Sequence, residues 1–138
     1  MSNPDDPASW VAKADNDLLC IANNLNDPDV PWDVVCFHAQ QAAEKMLKAI
    51  LVSRGLVVAR THDLLGLFDE CITTGAQLPD LRSDCALLTQ YAVAFRYPGY
   101  SPDPDEQDGG TAVAAARRIY DAVRAVLIAA PPAGRPSP

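Results

Sequence analysis

The placement of proline constrains this chain most. All twelve prolines lie at the ends or in short connectors, and residues 32–78 and 105–130 contain none. Proline lacks an amide donor and its ring collides with the preceding helical turn, so it is excluded from helix interiors. Long proline-free stretches between proline-marked joints therefore read as helices. Alanine, the strongest helix former, supplies much of the 49% hydrophobic content. A length of 138 residues fits one domain around one core.

Five helices follow. The first runs from about Pro7 to Asn24, with Asp6 as cap and Trp10, Ala14, Leu18, Ile21 and Leu25 as its buried stripe. The second runs from about Trp32 to Arg54 and ends at Gly55. The third starts after Thr61, its expected N-cap, with Asp63 in the first turn, and ends near Thr73 before Gly75. The fourth spans about Asp80 to Phe95. The fifth spans about Asp105 to Ala130, buries Ala112, Ala116, Ile119, Val123, Val126 and Ala130, exposes Arg117, Asp121 and Arg124, and frays at Gly109-Gly110. The fold class is all-α, an up-and-down bundle of four to five helices over residues 7–130. Residues 1–6 and the Pro-rich segment 131–138 read as disordered.

The second helix is the most informative. At about 100° per residue, Val35, Cys36, Ala39, Ala42, Ala43, Met46, Leu47, Ala49 and Ile50 cover an arc of roughly 160°. Such a wide apolar face touches several neighbours, so this helix belongs at the centre. Gln40 lies on the edge of the arc and needs a buried partner. The opposite sector holds Phe37, His38, Gln41, Glu44, Lys45 and Lys48. It reads either as a solvated face with Gln41–Lys45 and Glu44–Lys48 pairs, or as a surface for a phosphate, a nucleobase or a protein. Phe37 favours the second, because a solvated face has no use for a phenyl ring.

Charge and cysteine narrow the classes. A net charge of −7 disfavours non-specific nucleic-acid binding, so any RNA contact needs a local basic patch. No apolar run is long enough for a membrane span, and the acidic start lacks a signal-peptide pattern. The expected compartment is the cytoplasm. Cys20, Cys36, Cys71 and Cys85 lack metal-ligand spacing and read as reduced, buried thiols; no metal and no cofactor are expected.

A family resemblance enters on four pieces in order: Trp10 with Ala14, Asp17 and Leu18; Phe37-His38-Ala39-Gln40-Gln41-Ala42-Ala43-Glu44-Lys45 with Lys48-Ala49; Thr61-His62-Asp63-Leu64; and Tyr91 with Arg96-Tyr97-Pro98. Over residues 8–128 the chain resembles the HEPN domain family, named for higher eukaryotes and prokaryotes and linked to nucleotide and RNA biology. The resemblance implies a helical bundle, a homodimer, and for prokaryotic members a minimal nucleotidyltransferase partner in a toxin–antitoxin arrangement. It also implies metal-independent ribonuclease activity where an Arg is followed after four to six residues by His.

That signature is broken here. Arg96 is followed by Tyr97-Pro98-Gly99-Tyr100-Ser101-Pro102-Asp103, and no histidine occurs after His62. Histidine suits proton transfer near neutral pH, whereas an ordinary phenol, ionising near ~10, does not. The favoured expectation is a nucleotide- or RNA-binding module, or a nucleotidyltransferase partner, that does not cleave. Its candidate residues are Arg96, Tyr97, His38, Gln41, Lys45, Lys48 and His62. The alternatives are a ribonuclease toxin pairing Arg96 with His38 or His62, and a protein-interaction module using Phe37. His62 beside Arg60 suits an anion at the start of the third helix, or simply caps it.

Overall fold

The computed structural model describes residues 3–92 and 102–129. They form five helices: α1 (Pro7–Leu25), α2 (Trp32–Ser53), α3 (Leu64–Thr73), α4 (Arg82–Thr89) and α5 (Glu106–Ala129). No strand occurs among the described residues. The expected all-α bundle is the architecture found. α2 lies at its centre, packed against α1, α3, α4 and α5.

Local chemistry fixes most helix ends. Asp6 accepts the Ala8 amide at 3.0 Å, and Pro7 opens α1. α2 and α3 stop at glycines in the left-handed region, Gly55 at φ +76° and Gly75 at φ +92°. The Leu56 amide reaches back to the Leu51 carbonyl, and the Ala76 amide to that of Cys71, the bond pattern of a Schellman stop. At α5, Asp105 accepts the Asp108 amide while Asp108 accepts that of Asp105, a reciprocal box that satisfies two donors. The Asp108 amide is the main reason the Asp105 carboxyl is held below its ordinary value.

Several boundaries differ from those expected. α3 begins at Leu64, with Asp63 rather than Thr61 at the N-cap position. The Thr61 hydroxyl instead accepts the Asp63 amide, ahead of the helix. α4 begins at Arg82, whose amide Asp80 accepts, and ends at Thr89. The Thr89 hydroxyl folds back onto the Cys85 carbonyl, and the Gln90 side chain donates to that of Leu87 at the end of the helix. Phe95 and Ala130 lie outside the described residues, as do 131–138. Residues 3–6, assigned above to a disordered end, form a turn: Asp6 donates to the Asn3 carbonyl, and the Trp10 indole donates to that of Pro4.

The core is rich in small side chains. Ala14, Ala39, Ala42, Ala43, Ala112, Ala115 and Ala116 are buried alongside Met46, Leu47, Ile50, Phe68, Leu88 and Ile119. All nine residues of the wide arc on α2 are buried. Small contacts bring backbones close, and Gly109 shows how close: a Cβ placed there would sit 2.3 Å from Trp32 Cε3. The glycine pair expected to fray α5 is therefore split in role, with Gly109 under Trp32 and Gly110 facing open space. The stripe on α1 is also revised. Leu25 is exposed, and Asp17 is buried between Ala14 and Ile21.

Cys36, Cys71 and Cys85 are buried and Cys20 is half-buried. Burial pushes both Cys71 and Cys85 up to about 12. Because the thiolate is the reactive form, iodoacetamide at pH 8 should label the native protein at Cys20 alone. Mass spectrometry should find four labels once urea has unfolded the chain. Native labelling of Cys71 or Cys85 would contradict this packing.

Candidate functional site

The polar sector of α2 is tied into a hydrogen-bonded network, with Glu44 and Lys48 buried and the rest half-exposed. Two acids organise it. The first is Asp17 of α1, which is 6% exposed. One of its oxygens accepts His38 Nδ1 at 2.8 Å, and the other accepts Lys45 Nζ at 2.7 Å. His38 and Lys45 are seven residues apart, two turns along one face, so a single carboxylate spans both. The ring of Phe37 meets that of His38 edge-on, with centroids 5.3 Å apart.

The second acid is Glu44, which is 5% exposed. Oε1 accepts Gln40 Nε2 at 2.9 Å and His62 Nδ1 at 2.7 Å, while Oε2 accepts Lys48 Nζ at 3.0 Å. Burial alone would raise the Glu44 carboxyl, but the hydrogen bonds from Gln40, His62 and Lys48 outweigh it and hold the group below its ordinary value. Gln40 Oε1 accepts Gln41 Nε2 at 2.7 Å, which extends the network outward. Lys48, 7% exposed, also lies 5.8 Å from the centroid of the Trp10 ring.

These contacts sort the residues singled out from the sequence. His38, Gln41 and Lys45 form one half-exposed edge. Lys48 and His62 gather on Glu44 instead. The Glu44–Lys48 pair is present, whereas Lys45 turns to Asp17 rather than Gln41. Gln40 has the buried partner it required. His62 precedes the Asp63 cap instead of starting α3, and its imidazole is spent on Glu44 rather than on the helix terminus. Arg96 and Tyr97 lie outside the described residues, so the distance from either imidazole to Arg96 does too.

Sequence reasoning assigned no role to Asp17. Its signal was present: an acid between Ala14 and Ile21, on the buried stripe of α1, needs an ionic partner inside. The arrangement can hold two imidazoles and two ammonium groups in fixed orientations, each charge matched by a buried carboxylate. Among the described residues, no three His, Cys, Asp or Glu side chains are grouped to hold a metal ion. Nor is any helix of the described residues long and apolar enough to cross a membrane.

Comparison with known proteins agrees with this architecture. The crystal structure of TT1696 from Thermus thermophilus superposes with a TM-score of 0.75 at 26% identity, over 86% of this chain and 96% of that one. The structure of ST0689, an archaeal HEPN homologue, superposes with a TM-score of 0.68 at 23% identity, over 87% and 96% of the two chains. No curated protein matches the sequence. The family model of the HEPN domain matches residues 8–126, which takes in α1, α2, both buried acids and most of α5, and the chain therefore belongs to the HEPN domain family.

Proposed function

We propose that this HEPN domain recognises a nucleotide or RNA without cleaving it, through the outer edge of α2 together with Arg96 and Tyr97. The observation that carries the reading is the clamped edge itself. Asp17 holds His38 and Lys45 in place, and Gln40 holds Gln41, so their remaining donors are pre-oriented towards solvent. Pre-orientation lowers the entropy lost when a phosphate or base edge is bound. Lys48, buried, and His62, exposed, join the same network through Glu44. The missing histidine after Arg96 favours binding over catalysis.

The same reading includes a homodimer in the cytoplasm, with a minimal nucleotidyltransferase as partner in a toxin–antitoxin arrangement. Phe37, half-buried at the edge, is the side chain offered to a second subunit. Loss of assembly in Phe37→Ala without ligand loss would instead favour a protein-interaction role.

Fluorescence anisotropy with labelled RNA oligonucleotides, and calorimetry with nucleotides, test the binding. Lys45→Gln and Arg96→Ala should each weaken it about tenfold, the size of one charge-assisted hydrogen bond. Affinity should fall as salt rises. Wild-type protein that binds neither probe class would overturn the reading. A ribonuclease reading is kept alive by one contact, the Asp17 carboxylate on His38 Nδ1, which leaves Nε2 as the working nitrogen. Cleavage by wild type that is lost in His38→Ala and Arg96→Ala would establish it, and an uncut substrate panel would sink it.

A further inference from the structure

A second feature of the fold is unused by the clamped edge. Between the start of α1 and the connector from α2 to α3 lies a cavity of about 630 Å³, within the range of small-molecule sites. Its walls include Trp10, Val52, Leu56 and Val58, and two cations, Lys48 and Arg60, line it as well. Its one carboxylate, Asp5, is exposed.

Three observations point to an occupant. First, residues 57–60 run without helix or strand, and among the described residues none of their backbone N–H or C=O groups is hydrogen-bonded within the chain. They leave donors and acceptors beside the cavity. Val57 is 96% exposed and Leu56 47%, so apolar surface is held out here at a cost in solvation. Second, Lys48 is buried, yet among the described residues only Glu44 accepts from its ammonium. A lysine has three donors, and the Trp10 ring at 5.8 Å engages the cation by its face without accepting a full hydrogen bond. Third, Arg60 is exposed and forms no ion pair among the described residues. In a chain of net charge −7, this guanidinium is left available to an anion from solution.

We propose that this cavity binds a small organic anion with a flat unsaturated body. Its acidic head, a phosphate or a carboxylate, pairs with Arg60 and takes a free donor of Lys48. Its body lies along the apolar wall beside Trp10, and its polar edge meets the free backbone of residues 57–60. The site stands on its own observations and shares only Lys48 with the edge of α2.

The Trp10 indole donates to the Pro4 carbonyl at 2.8 Å, so its N–H resonance reports on this rim. The chain has two tryptophans, and Trp10→Phe identifies the peak. The wild-type full chain is titrated by NMR with indole-3-acetate and with AMP, and with adenosine and inorganic phosphate as the body and the head alone. At least one flat anion should shift the Trp10 peak saturably while the Trp32 peak stays in place. Adenosine and phosphate should bind about tenfold more weakly, and Arg60→Gln should lose about tenfold for the flat anion. Lys45→Gln should leave this titration unchanged, which separates its failure from failure of the α2 edge. The proposal is overturned if neither flat anion shifts Trp10 at millimolar concentration. It is equally overturned if adenosine matches AMP with no flat carboxylate bound, or if Arg60→Gln binds as wild type does.

Discussion

Replacing Glu44 with alanine should lower the unfolding free energy by about 3–5 kcal/mol, the cost of removing one partner from a buried ionic group. The size follows from what the carboxylate satisfies. Without it, the Lys48 ammonium is buried beside an indole with no counter-charge, and the Gln40 amide loses its acceptor. His62 loses its anchor, which frees the connector into α3. Urea titration followed by circular dichroism measures the change. A loss below about 1 kcal/mol, typical of an exposed pair, would mean the network is solvated.

The pH dependence has a definite sign. The folded-state carboxyl of Glu44 lies below its ordinary value of 4.5. Its contribution to stability is therefore fully present above about that value and is lost as pH falls through the lowered folded value. Glu44→Gln lacks the group, so the stability gap between wild type and this variant should be widest near neutrality. The gap should close as the solution is acidified past the carboxylate range. A gap that widens in acid would reverse the assignment.

The second large effect concerns two adjacent glycines with opposite outcomes. Gly109→Ala should destabilise by about 1–3 kcal/mol, the usual cost of overpacking a tight contact. The added methyl meets the rigid Trp32 ring, so either α5 or the indole must move. Gly110→Ala, with nothing within 4 Å of its Cβ, should stabilise by about 0.5–1 kcal/mol through helix propensity alone. Thermal melts of the two variants should shift in opposite directions. Equal shifts would mean that α5 does not press on Trp32.

The central helix was legible because its apolar arc is long and unbroken. Every residue from Val35 to Ile50 assigned to that arc is buried. Glycine stops were legible for the same local reason: Gly55 and Gly75 can take a positive φ that other residues resist. Burial of Glu44 and Lys48 within the polar sector was not legible. Angular position tells which residues share a face, but not what covers it, and here α1 and the connector cover it with Asp17, Trp10 and His62. The N-terminus of α3 was misplaced because Thr61 and Asp63 are both cap-type residues three residues or fewer from the helix, and the Thr61 hydroxyl is taken by the Asp63 amide ahead of it. Leu25 fits the periodicity of α1 but overshoots the bundle, and periodicity alone does not show where a neighbour ends.

The carboxylate of Asp17 has a consequence for how α1 and α2 find one another. Both helices bury small side chains, Ala14 on α1 and Ala39, Ala42 and Ala43 on α2, and the two helices pack against one another. Alanine surfaces are nearly featureless, and neighbouring registers along such a seam differ little in packing. Sliding α1 by one turn, about 5.4 Å, would bring Asp17 level with one of His38 and Lys45 and out of reach of the other, so a buried carboxylate would lose one of its two partners. That penalty falls on every shifted alignment and on none of the native contacts. A single acid thus supplies, through discrimination rather than through attraction, the alignment that a smooth apolar seam lacks.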